Sequence, residues 1–263
     1  MDITLKQKFR QPFGYYMENL IGKHFSSKGI FVMHHEHSHA YEWGMYLGDN
    51  DLIQLKKLLE IVGVDIEESK KKILKIINQE IIINDINSTK LILNLFNIKD
   101  DSALFQRKLI LYEISRLVGS NKIEFIRIEN NKLIVSEIKS QYGPNPDFRI
   151  EFEYPQVKTF TKLTNGGIHT SIIYCIALPE PRFVEIPFSL LYEKFNEYSD
   201  FNGQEFTGID KSRIRIRIPM EYRKESNFIK IDKSLYKYVD LPSLLNSILN
   251  EFPNKFNRLS GLL

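Results

Sequence analysis

The sequence predicts an α/β fold: a mixed central β-sheet flanked by helices, with a mainly helical N-terminal region and a C-terminal α+β extension. Three observations predict it. Apolar residues recur at helical spacing through much of the stretch from 51 to 118. Two runs of strand character, Lys122 to Ile128 and Lys132 to Ser140, meet at Glu129, Asn130 and Asn131. A further helical pattern and an apolar strand follow, and the order helix, strand, strand, helix, strand suits a sheet covered by helices.

The first fifty residues read as loops and short strands, because Gly14, Gly22, Gly29, Gly44 and Gly48 interrupt them. From Asp51, the residues Leu52, Leu55, Leu58, Leu59 and Val62 mark a helix, with Asp49 or Asn50 as its cap and Gly63 as its stop. A second helix is predicted from Ile66 to about Ile77, with Glu67 and Glu68 at its positive end and Lys70, Lys71 and Lys72 on a solvated face. A third covers Ser88 to Phe96. In 102–118, Leu104, Lys108, Leu111, Ser115 and Val118 run round a helix that Ser102 can cap and Gly119 can end. The β-hairpin comes next, its asparagines tolerating the positive φ of a tight turn. After Gly143, Pro144 and Pro146, a helix is predicted from about Pro155 to Leu163, then the turn Asn165, Gly166, Gly167 and a buried strand from Thr170 to Leu178. Beyond Pro179 the pattern predicts a strand at Phe183 to Ile186, a helix from Phe188 to about Tyr198, a strand at Arg213 to Ile218 and a helix near Leu241 to Phe252. The chain divides on this basis into an accessory region 1–100, a core 101–180 and an extension 181–263 packed on the core.

Composition narrows the function classes. With 263 residues, 43% hydrophobic and 26% charged, the chain can bury a core and has no disordered signature. No apolar run approaches the roughly 18 residues of a membrane span, and the start MDITLKQKFRQ lacks a signal peptide's apolar core. A cytoplasmic protein without a membrane partner is expected. Cys175 is the single cysteine, so an intrachain disulfide and a cysteine-based zinc cage are both excluded, and its apolar setting predicts a core position. The net charge of +3 permits nucleic-acid binding without demanding it.

The chemistry-bearing stretch is the strand Leu133, Ile134, Val135, Ser136, Glu137, Ile138, Lys139. A period of two sets Glu137 and Lys139 on one face, with Ile138 turned away. One strand over, Glu124 offers a second carboxylate. Two neighbouring carboxylates repel unless a cation joins them, and hard oxygen ligands suit Mg²⁺. These residue types fit metal-assisted phosphodiester hydrolysis, with Lys139 orienting or deprotonating a water, its pKa either lowered by burial or held by the carboxylates.

The stretch IEFIRIENNKLIVSEIKS, residues 123–140, resembles the PD-(D/E)xK nuclease superfamily, whose fold is found in restriction endonucleases, Holliday junction resolvases and repair enzymes. Glu137 and Lys139 match the (D/E)xK element. Glu124 stands where the family usually has Asp, often after Pro; here Ile123 precedes a Glu. Gln156 is similar to the glutamine that some subgroups carry in the next helix, and Glu113 to the acidic residue many members supply from their first core helix. The resemblance spans about residues 102–180. It implies a restriction-endonuclease-like core with Glu124, Glu137, Lys139, Glu113 and Gln156 as catalytic residues, and with Glu124 and Glu137 as ligands of Mg²⁺, for which Mn²⁺ can substitute. It further implies a DNA endonuclease, in restriction or defence first and in repair or junction resolution second, acting as a homodimer. The competing class is a nucleic-acid-binding module that kept the fold and lost catalysis.

Other residues admit two readings each. Arg213, Arg215 and Arg217 alternate with Ile214, Ile216 and Ile218, so one strand face is apolar and the other can track a phosphate backbone or simply be solvated. Lys158 and Lys162 on the helix after the motif fit phosphate contact or solubility. The cluster His34, His35, Glu36, His37, His39 matches no helical metal-binding spacing and reads better as a polar loop or a DNA- or partner-contacting segment than as a metal site. Trp43, with Tyr41 and Tyr46, reads as core ahead of a base-stacking platform.

Overall fold

A computed structural model describes residues 8–34, 47–81, 86–96, 103–119, 123–143, 148–191 and 213–252. The helices are α1 (Arg10–Ser26), α2 (Asp49–Val62), α3 (Ile66–Ile77), α4 (Ile86–Leu95), α5 (Ala103–Gly119), α6 (Tyr154–Asn165) and α7 (Leu241–Glu251). The strands are β1 (Phe31–His34), β2 (Phe125–Glu129), β3 (Lys132–Gln141), β4 (Arg149–Glu153), β5 (His169–Ile176), β6 (Arg182–Pro187), β7 (Arg213–Arg217) and β8 (Ile229–Lys230). The fold is α/β, with a mixed, curled central sheet flanked by helices.

That sheet has the order β1-β2-β3-β5-β6-β8, and β4 pairs with β7 in a separate two-stranded ribbon. Among the described residues β3 and β5 pair in parallel and the other pairs of this sheet are antiparallel. The β2–β3 hairpin closes at Glu129 opposite Lys132, and Asn130 and Asn131 take φ of 50° and 59° as the turn requires. One sheet face buries Met33, Ile126, Val135, Ile172 and Val184 in a core shared with α2, α5 and α6. The opposite face buries Val32, Phe125, Ile138, Ile173, Cys175 and Phe183 under α1 and α7. On that second face the buried Arg127 ties strands together: its guanidinium donates to Ser136 Oγ at 3.1 Å and to Glu185 at 2.6 Å, and lies 4.6 Å from the Phe25 ring centre.

The predicted helices at 51–62, 66–77 and 155–163 are present, with Gly63 ending α2 at φ 86° and Asp65 capping α3 through the Glu68 amide. Two expectations are corrected. Residues 10–26 form a helix where loops and short strands were expected, because Pro12 falls in the first turn, where its missing N–H is harmless, and Gly22 serves a close approach. A Cβ on Gly22 would meet His34 Nε2 at 2.5 Å, so α1 lies on β1 only because residue 22 has no side chain. The second correction is β4, where the sequence predicts no strand between Pro146 and the helix α6; Ile150 and Phe152 are its buried positions. The segment 1–100 thus contributes β1 to the sheet and α1 to its cover, and the segment 181–263 contributes β6 and β8 to the same sheet.

His34 is buried at the end of β1, while His35, Glu36, His37, His39, Tyr41, Trp43 and Tyr46 lie outside the described residues. Of the helix predicted from Phe188, residues 188–191 are helical and the rest lie outside the described residues. Among the described residues no helix is long and apolar enough to cross a membrane.

Candidate active site

The pairing of β2 with β3 begins at Phe125 opposite Ser136, so Glu124 stands just beyond the end of β2, next to Glu137. There the backbone amide of Ile138 has no strand partner to the β2 side, and Glu124 Oε2 accepts it at 2.9 Å. The same carboxylate faces a cleft of 840 Å³ at this end of the sheet. One wall of the cleft is α1, through Arg10, Tyr15 and Glu18, with Lys8 just before it; the other is β4, through Arg149, Glu151 and Glu153.

Glu137 is only 1% exposed. Its Oε1 accepts from Lys139 Nζ at 2.5 Å and from Gln156 Nε2, and its Oε2 has no hydrogen-bond partner among the described residues. Gln156 reaches this point because α6 starts directly after β4: its Oε1 accepts the Glu153 amide at 3.0 Å and lies 3.4 Å from Lys139 Nζ. Lys139 also lies 5.4 Å from the Phe152 ring centre. Glu124, Glu137, Lys139 and Gln156 are therefore brought together, the first three as the two strands predict and Gln156 as the family resemblance implies.

No protein-family model, curated protein or solved structure matches this chain.

The electrostatics of the site follow from its enclosure. Burial pushes the Glu124 carboxyl well above the usual carboxylate range, and the Glu137 charge pushes it further, with Glu18 adding to the effect; Lys139 and the Ile138 amide act against them. For Lys139, burial alone would lower the ammonium, but the Glu137 and Glu124 carboxylates outweigh it and raise the pKa. Of the two expectations for Lys139, a pKa lowered by burial and an ammonium held by the carboxylates, the second describes this site.

The remaining predicted residues lie elsewhere. Glu113 does not line the cleft; it is buried on α5 and pairs with Arg116 at 3.0 Å. Lys158 and Lys162 are exposed on α6, outside the cleft lining. Arg217 is exposed on β7, with Ile214, Ile216 and Ile218 buried as the alternation predicts; the side chains of Arg213 and Arg215 lie outside the described residues. By backbone register these three arginines stand opposite Arg149, Glu151 and Glu153 of β4. An acidic residue of the cleft lining that the sequence does not predict is Glu18, 7% exposed on α1. Nothing in the local pattern marks Glu18, because its approach depends on how α1 crosses the sheet. Among the described residues no group of three or more His, Cys, Asp or Glu side chains is placed to hold a metal ion.

Proposed function

We propose that the chain is a metal-dependent DNA endonuclease of the PD-(D/E)xK kind, built on a restriction-endonuclease-like core. The observation that carries this reading is the meeting of Glu124 and Glu137 beneath a cleft, with Lys139 on the same strand face as Glu137. A carboxyl raised first by burial and then by a carboxylate neighbour is one that a bound cation would relieve. The unpartnered Glu137 Oε2 also fits such a cation, since a buried acceptor without a partner is costly. Two carboxylate ligands are enough for Mg²⁺, which keeps several of its waters and binds phosphate oxygens as well.

In this reading Glu124 and Glu137 hold Mg²⁺ or Mn²⁺. Bound there, the ion supplies Lewis acidity to the scissile phosphate and a more acidic water. Lys139, kept charged by the two carboxylates, orients the attacking water and offsets the charge that develops on the phosphoryl oxygens. Gln156 holds Glu137 and Lys139 in register with each other. We assign the activity to restriction or defence ahead of repair or junction resolution, on the family analogy and because α1 and the β4–β7 ribbon flank the cleft as surfaces for recognition. Two antiparallel strands are cut most simply by two related sites, hence a homodimer.

A second reading is favoured by the ion pair itself: Lys139 and Gln156 already satisfy Glu137 Oε1, which suits a nuclease-like module that binds nucleic acid without cutting it. One experiment separates the two. Supercoiled plasmid is incubated with Mg²⁺ or Mn²⁺ and wild type, Lys139→Ala or Glu137→Ala. The nuclease reading expects cation-dependent nicking that falls by about 10²-fold or more in each variant. Retained DNA binding with no cutting under either cation sinks it in favour of the binding module.

A further inference from the structure

Tyr174 lines the same cleft from β5 and has no role in the reading above. The parallel register sets it directly beside Lys139, on the same face of the sheet. Its residue exposure is 0%, and its hydroxyl has no hydrogen-bond partner among the described residues. The ring is fixed by Phe148, at 6.2 Å between centroids, and Phe228, at 6.5 Å, so the hydroxyl is held in one place. Both of those neighbours are phenylalanines, and a phenylalanine at 174 would fill the same volume without burying an unmatched polar atom. Such an atom costs about 1–3 kcal/mol when it finds no partner. A ligand oxygen brought to the cleft floor would remove that cost.

We propose that the Tyr174 hydroxyl is a donor for bound phosphate, giving a hydrogen bond to a non-bridging oxygen of the phosphodiester held above Glu124, Glu137 and Lys139. The identity of the phosphodiester rests on the nuclease reading; the donor role rests on the geometry of β3 and β5. Burial pushes the phenol up to about 12, so it keeps its proton and serves as a donor across the working pH range. With the Lys139 ammonium alongside, the floor offers two adjacent donors, which selects a ligand that is anionic and rich in acceptor oxygens. No bond forms or breaks at Tyr174, and its proton stays on the phenol throughout.

The test is Tyr174→Phe, which removes one oxygen and leaves the ring. Cleavage should fall by about 10²- to 10³-fold, as for loss of one preorganised donor. The melting temperature should hold or rise, because the lost hydroxyl had no partner; a purely structural tyrosine would show the reverse. Alongside it, binding of thymidine 3′,5′-bisphosphate in Ca²⁺ is measured by calorimetry for wild type and variant, with weakening of about 10-fold expected for a lost hydrogen bond to a charged group. If wild type and variant cleave equally, the donor role is overturned and the nuclease reading stands. If wild type does not cleave but binds the bisphosphate more tightly than the variant, the donor role stands and the nuclease reading falls. A variant that melts lower while losing activity, or a wild type that neither cleaves nor binds the probe, overturns the proposal.

Discussion

At Glu124 the conflict between stability and chemistry is sharpest, because burial and Glu137 both oppose its charge while Lys139 and the Ile138 amide support it. A carboxyl whose folded pKa lies above its unfolded value stabilises the protein fully below the unfolded value and loses that contribution as pH rises through the folded one. Wild type therefore gives up stability above about pH 4.5, and Glu124→Gln, which can still accept from the Ile138 amide, does not. We expect the variant to melt a few degrees above wild type at pH 8 in EDTA, with the gap closing towards pH 4; a variant less stable than wild type at pH 8 would contradict this account. Glu137 and Lys139 were legible in the sequence because a strand repeats every two residues, and Gln156 only through the family resemblance. Glu18 and Tyr174 were not. Tyr174 reads as one more apolar position in SIIYCIAL, and only the pairing of β5 with β3 turns it towards Lys139.

Elements with one wet face and one buried face were readable at the level of pattern, and α3 matches its predicted bounds because Ile66, Ile73 and Ile76 point inward while Glu67 and Lys72 do not. The helix α1 escaped because it is enclosed on most sides, from Phe13 and Met17 to Glu18, Asn19 and His24, so no polar face betrays a period. Its glycines also read as breaks, when Gly22 is in fact a contact. The consequence is open to measurement. Alanine is a better helix former than glycine by about 1 kcal/mol, so Gly22→Ala should stabilise an isolated helix. Here the added methyl would strike the His34 ring, which is buried and stacked near Phe125 and has little room to give. We expect urea denaturation to show a loss of about 1–3 kcal/mol, the usual cost of overpacking. A gain in stability would mean that α1 does not lie so tightly on β1, and the placement of Glu18 beside Glu124 would then be in doubt.

For the whole molecule, strand order and the seating of α1 across the sheet were beyond reach of local pattern, since both depend on pairings between residues far apart, such as Phe31 with Ile128. Those long-range pairings also distribute the charge. A net charge of +3 steers nucleic acid only weakly, so what matters is where the cations stand. Lys8 just before α1 and Arg10 at its start border the cleft, and Arg149 borders it from β4, all three exposed, while Glu18, Glu124, Glu151 and Glu153 lie among the lining residues. A phosphate chain crossing this cleft would be held at its two rims and exposed to carboxylates between them, an arrangement that favours binding when a divalent cation offsets the carboxylates. In Ca²⁺, binding of a short duplex should therefore weaken with added KCl, each rim cation contributing about −0.9 to the slope of log K against log salt. Removing the Arg149 charge with Arg149→Ala should lower the magnitude of that slope by about 1 and weaken binding uniformly across sequences, because a phosphate contact carries no base information. An unchanged slope would move the path of the nucleic acid away from the cleft, with the exposed Arg217 of β7 as the next contact to remove.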